Sequence, residues 1–181
     1  MKKAFLIISS LLFLCCSQPT TTINKSTEIL KTEENLKPEK VNWVDFNSVF
    51  KKAKEEKKYV MVSFYVDWCQ YCKKLNTEVY FDDKLSKYLN EKFVSVKVNA
   101  ESEEEIIFKD KKIAKKNLAK VFGVNGYPNI FFLENEDTFL AKIPLLLEIK
   151  DFYISASYIG NNAYKTISLE EHKERVEILE Y

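Results

Sequence analysis

From Trp43 to Lys58 the apolar positions recur at helical spacing, with Trp43, Phe46, Val49, Phe50 and Ala53 on one face. That period predicts an amphipathic helix, with Asn42 as its N-cap. The next stretch, YVMVSFYV from Tyr59 to Val66, is apolar on both faces and reads as a central strand covered on two sides. A short helix is expected from Cys69 onward. A second follows in FDDKLSKYLNEKF, capped by Asp82 or Asp83. FVSVKVN then alternates as a strand. Residues 101–122 carry acids first and lysines later, the order a helix dipole favours, and are predicted mainly helical. GVNGYPNIFFL reads as a turn, a proline and a strand, and TFLAKI as its hairpin partner. LLLEIKDFYISASYI returns to helical spacing, with Ile149, Phe152, Tyr153 and Ala156 on one side. The order α-β-α-β-α-β-β-α predicts an α/β fold: a central mixed β-sheet with helices on both faces, in three layers.

The first forty residues follow a different pattern. MKK is a short positive segment, and AFLIISSLLFL is an apolar run of signal-peptide length, short for crossing a bilayer. It ends at Cys15 and Cys16. This resembles a bacterial lipoprotein signal, in which a cysteine is acylated and becomes the new N-terminus. A small residue before the lipidated cysteine selects Cys16, while Leu at the third position before it selects Cys15. Cys16 is the expected site and Cys15 the alternative. Residues 17–40 are rich in Thr, Lys and Glu with two prolines; they read as a disordered tether with a reach of about 25–30 Å. The expected organisation is a signal over 1–16, a spacer over 17–40 and a folded domain with a helical tail over 41–181. A net charge of +1 over 181 residues gives no electrostatic footprint for nucleic acid, and a monomer is expected.

Chemistry concentrates in DWCQYCKK, Asp67 to Lys74. Only Cys15 and Cys16 accompany Cys69 and Cys72 in the chain. A cysteine that follows a buried strand and opens a helix meets unpaired backbone N–H groups, which favour its thiolate. Cys72 lies one turn inward, placed to attack a mixed disulfide formed on Cys69. Thiol–disulfide exchange needs such an attacking and resolving pair. Trp68 is expected to cover the pair. Lys73 and Lys74 either add positive potential near Cys69 or are plain surface residues. A structural zinc site takes four ligands, and in the mature domain His172 and scattered carboxylates are the only other candidates, so neither a metal nor a cofactor is expected. His172 itself, in a polar helix, is read as inert. The run Glu101–Glu105 is read as a solvated helix start. Tyr158 and Tyr164 are assigned to the core, and a groove role goes to Tyr127 alone.

The stretch from Val60 to Glu101, together with AKVFGVNGYPNIFFLENED, resembles the thioredoxin family. It is closest to the periplasmic branch represented by the C-terminal domain of the transmembrane reductase DsbD and by SoxW-like lipoprotein thioredoxins. The resemblance implies a thioredoxin fold, a redox-active Cys69–Cys72 disulfide, a cis Tyr127–Pro128 bond, and Tyr127 and Pro128 beside the sulfurs. It also marks two departures. Ser63 stands where thioredoxins usually carry a buried Asp that helps deprotonate the inner thiol, and Asn76 stands where the DsbD-type domain carries a Glu. The function implied is a membrane-tethered, extracytoplasmic thiol-disulfide oxidoreductase of the bacterial envelope, its domain facing the periplasm or exterior. Its expected partners are protein disulfides or dithiols and a DsbD- or CcdA-like membrane electron donor. Reduction of disulfides is the expected direction. Oxidation or isomerisation, or a redox-inactive binding role, are the alternatives.

Overall fold

Strand β1 (Tyr59–Tyr65) is the axis of the structure. In the computed structural model, which describes residues 40–178, its inner five residues are all buried. The expected leader, Cys15 and Cys16, and the spacer up to residue 39 lie outside these residues. β1 pairs in parallel with β2 (Phe93–Asn99), Tyr59 facing Phe93 and Tyr65 facing Asn99. It pairs antiparallel with β5 (Asn129–Leu133), Val60 facing Leu133 and Phe64 facing Asn129. β6 (Phe139–Ile143) adds antiparallel to β5, giving a four-stranded sheet of order β2-β1-β5-β6. A buried polar backbone must be paired, and the ladders on both edges of β1 do this.

Side-chain alternation divides the core in two. Val60, Val62 and Phe64 of β1, with Phe131 and Leu133 of β5, point to one face. There they meet Phe46, Val49 and Ala53 of α1 (Phe46–Glu56) and Leu118 and Ala119 of α4 (Lys115–Val121). Met61, Ile130 and Phe132 point the other way. They meet Leu85 and Leu89 of α3 (Asp83–Lys92) and Phe152, Ala156 and Ile159 of α5 (Ile149–Gly160). The expected three-layer α/β/α arrangement is therefore present.

Several local expectations change. The first helix begins at Phe46, capped by the Asp45 carboxylate on the Asn47 N–H at 2.8 Å, not by Asn42. The Asn42 N–H instead donates to Asn90 Oδ1 at 2.8 Å, and Trp43 forms a strand-like bridge with Ser95. Asp82 caps α3 through Leu85 N–H at 2.8 Å. The predicted helix over 101–122 is mostly absent. Its place is taken by a hairpin, β3 (Glu105–Phe108) and β4 (Lys111–Ala114), followed by the short α4. The turn residues Lys109 and Asp110 both have positive φ, 50° and 59°, as a two-residue hairpin loop of the primed type requires. Burial alternates along β3, and Phe108 packs against Phe46 and Phe50 of α1 at 6.2 and 6.1 Å. The acids before the lysines serve pairing across the base of this hairpin: Lys115 reaches Glu104 at 2.6 Å, and Lys116 pairs with Glu103.

The tail is also more integrated than expected. In α6 (Leu169–Ile178) the side chain of His172 is buried, not inert on a solvated face. The Ser157 hydroxyl donates to the Ile154 carbonyl at 3.0 Å. Its oxygen therefore accepts from His172 Nε2, 2.8 Å away. The Tyr158 ring lies 5.5 Å from the imidazole. Burial, aided by Arg175, lowers the His172 pKa. A histidine depressed in the folded state stays neutral while its unfolded counterpart, at about 6.5, takes a proton. Stability is then full above about pH 6.5 and falls as pH drops below it. Thermal melts at pH 7 and pH 5 should show a larger loss for the wild type than for His172→Gln. Equal losses would contradict this role.

Candidate active site

The C-x-x-C segment sits where β1 ends. Val66 closes the apolar run, the chain turns through Asp67 and Trp68, and α2 (Gln70–Lys74) begins. Cys69 is its N-cap, and its Sγ accepts the Cys72 N–H at 3.0 Å. An otherwise unpaired N–H of the first turn is thus spent on sulfur, the interaction that favours a thiolate there. Cys69 and Cys72 are closed as a disulfide, with Cα atoms 5.2 Å and sulfurs 2.17 Å apart. Both are nearly buried, at 5% and 3% exposure.

After Lys74 the helix widens into a π turn, Leu75–Val79, closed by Tyr80 N–H on the Leu75 carbonyl at 2.8 Å. The cysteines pack with the α1-side cluster, whereas Leu75, Val79 and Tyr80 pack with the α5-side cluster. A single π turn is a frequent device at functional sites. Here it lies at the point where the helix passes from one cluster to the other.

Around the pair, Trp68 is 65% exposed. Its indole N–H donates to the Glu101 carboxylate at 3.0 and 3.2 Å, and its ring meets Tyr127 edge-on at 6.1 Å. Glu101 is therefore a partner of the site, not the start of a solvated helix. The loop that carries it is tied down by Asn99, which donates to Asp67 at 3.1 Å and accepts the Glu101 N–H at 3.0 Å. Burial, and then Glu101, raise the pKa of the Tyr127 phenol. The Tyr127–Pro128 bond is cis and Pro128 is buried. Lys73 is exposed, and Lys74 pairs with Glu78 at 3.8 Å.

Ser63 is buried on β1, and its Oγ accepts the Tyr80 hydroxyl at 3.0 Å. Tyr80 is fully enclosed, edge-on to Trp43 at 5.0 Å and to Phe152 at 5.7 Å. Burial raises its pKa and the Ser63 bond opposes this, so a neutral hydroxyl pair fills the position where a carboxylate was the family expectation. Asn76 is half-buried on the π turn. Tyr158 and Tyr164 lie away from this group; their rings contact each other at 6.5 Å, and the Tyr158 hydroxyl bonds the Ile167 carbonyl.

Three residues of the neighbourhood were missed from the sequence: Glu101, Tyr80 and Asn129. The available signal for the last was a polar residue opening the otherwise apolar run NIFFL, directly after Pro128.

Residues 46–152 match the family model of the Thioredoxin-like domain. Thioredoxin-like protein 1 of Schizosaccharomyces pombe is 31% identical over 113 residues, 61% of this chain. The chain spans only 34% of that relative's length. Among solved structures, a thioredoxin-fold protein from Helicobacter pylori superposes with a TM-score of 0.60 at 19% identity, over 65% of this chain and 83% of that one. A putative disulphide-isomerase from Bacteroides thetaiotaomicron superposes with a TM-score of 0.53 at 23% identity, over 68% and 93%. At these identities the structural likeness is one of fold.

Proposed function

The chain belongs to the thioredoxin-like family and carries its oxidoreductase chemistry in Cys69 and Cys72, and from that premise we propose a membrane-tethered, extracytoplasmic enzyme that reduces disulfides in envelope proteins. The observation that carries the chemistry is the Cys72 N–H on Cys69 Sγ, a donor that would favour Cys69 as the thiolate once the disulfide is open. That thiolate attacks one sulfur of a substrate disulfide. A mixed disulfide forms and the first substrate thiolate leaves, taking a proton. Cys72, once deprotonated, attacks Cys69 Sγ, the second substrate thiolate departs, and the Cys69–Cys72 bond closes. Two electrons and two protons pass from the enzyme dithiol to the substrate. Another dithiol must then reopen the pair, and the donor we propose is a DsbD- or CcdA-like membrane protein.

The reductive direction is supported by the modest stabilisation given to the thiolate. Gln70 and Tyr71 bring no charge between the sulfurs. Strongly oxidising couples owe their potential to a heavily stabilised reduced form. The tether is supported by the positive, apolar and Cys15–Cys16 succession at the start of the sequence. A labelled fatty acid should enter the wild-type protein and be lost in Cys16→Ala. Label retained in Cys16→Ala but lost in Cys15→Ala would move the site by one residue, and a wild type without label would refute the anchor. The direction of electron flow is tested by the redox equilibrium with which the Discussion closes.

A further inference from the structure

Asn129 opens β5 with a buried carboxamide: the residue is 0% exposed, and neither Oδ1 nor Nδ2 has a hydrogen-bond partner among the described residues. A buried polar group without a partner is costly and calls for an explanation. Its place in the fold gives the side of the sheet it faces. On β5, Phe131 and Leu133 join the cluster that contains Cys69 and Cys72, while Ile130 and Phe132 join the opposite one. By strand alternation Asn129 shares the side of Phe131. Its cross-strand neighbour is Phe64, also of the cysteine cluster. It follows directly on Pro128, and Tyr127 contacts Trp68, the residue before Cys69. Within this apolar cluster the buried heteroatoms are the two cysteine sulfurs, and the partly buried Tyr65 and Tyr127 pack against it. Among the described residues the other buried polar side chains lie elsewhere: Ser63 bonds Tyr80, Ser157 bonds His172, Ser86 bonds the Asp83 carbonyl, and Ser95, whose hydroxyl also lacks a partner, sits beside Met61 on the opposite side of the sheet.

We propose that the Asn129 carboxamide is the redox-linked partner of the Cys72 sulfur, unpaired in the disulfide and hydrogen-bonded in the dithiol. Cys69 Sγ already has the Cys72 N–H; both residues are nearly buried. The disulfide offers the amide no S–H donor and only a weak acceptor. When two glutathione thiols open the pair, the S–S bond breaks, glutathione disulfide forms, and two electrons and two protons reach the cysteines. Cys72 S–H then donates to Oδ1, and its thiolate accepts from Nδ2–H. Asn129 is thus a positioning residue that stabilises the reduced form and the resolving thiolate without burying a charge. The inference rests on the reading of Cys69–Cys72 as a cycling pair.

The test equilibrates the wild-type protein and Asn129→Leu with reduced and oxidised glutathione. The constant for opening the disulfide should fall about tenfold in the variant, equal to about 30 mV for a two-electron couple. A merely structural amide would change the stability of both redox forms and leave this constant alone. An unchanged constant overturns the inference while leaving the oxidoreductase reading intact; a pair that glutathione cannot open overturns both. Should Asn129→Leu fail to fold, the wild type decides through the NMR signals of its Asn129 Nδ2 protons. Reduction should shift them downfield and slow their exchange with solvent. Signals identical in both redox forms overturn the inference.

Discussion

Cys69→Ser is expected to reduce insulin disulfides no faster than the uncatalysed background, whereas Cys72→Ser is expected to accumulate mixed disulfides held through Cys69. The asymmetry follows from local geometry. The Cys72 N–H points at Cys69 Sγ, so in the dithiol Cys69 is the sulfur whose negative charge is met by a donor. With Cys69 replaced, the remaining Cys72 thiol is buried on the inner turn without that donor. With Cys72 replaced, Cys69 still attacks, but no second thiol stands one turn away to release the product. Mass spectrometry of trapped adducts distinguishes the two. Adducts from Cys69→Ser and none from Cys72→Ser would reverse the assignment.

Ser63→Asp is expected to cost about 2–4 kcal/mol of stability at neutral pH. Ser63 is buried and receives a single hydrogen bond, from a Tyr80 hydroxyl that is itself enclosed between Trp43 and Phe152. A carboxylate there keeps one donor and loses its water, a cost of several kcal/mol for an unpaired ion that a single hydrogen bond offsets in part. Burial would raise its pKa above the unfolded value of about 3.9. The folded state then holds its proton more tightly, so the penalty is absent below about pH 4 and grows as pH rises through the folded pKa. Denaturant titrations at pH 4 and pH 7 check both size and sign. A variant as stable as the wild type at pH 7 would show that the Ser63–Tyr80 position is open to solvent after all.

Much of this architecture was readable in advance where one rule governs a segment. YVMVSFYV is apolar throughout because both of its faces are covered, and it became the central strand. Asp82 had a side chain and a position suited to a cap, and it caps α3. The cysteine pair announced its own chemistry, and the cis bond at Tyr127–Pro128 followed from the family likeness. The failures occurred where two rules compete. Between Glu101 and Lys116 the order of charges imitates a helix dipole, but the same charges also suit pairing across a hairpin, and the burial of Ile106 and Phe108 decided for strands. His172 appeared solvated because its neighbours in α6 are charged, yet one turn of that helix docks on Ser157. Tyr80 and Asn129 owe their roles to partners distant in sequence, Ser63 on β1 and the cysteine-side cluster, which no local pattern reveals.

The central claim, that Cys69–Cys72 is a reducing couple, is tested most directly by the equilibrium of the wild-type protein with glutathione, read by thiol alkylation and mass. The expected potential lies between about −270 and −200 mV, the span from thioredoxin to the glutaredoxins. A value near about −120 mV, that of a strong disulfide oxidant, would contradict it.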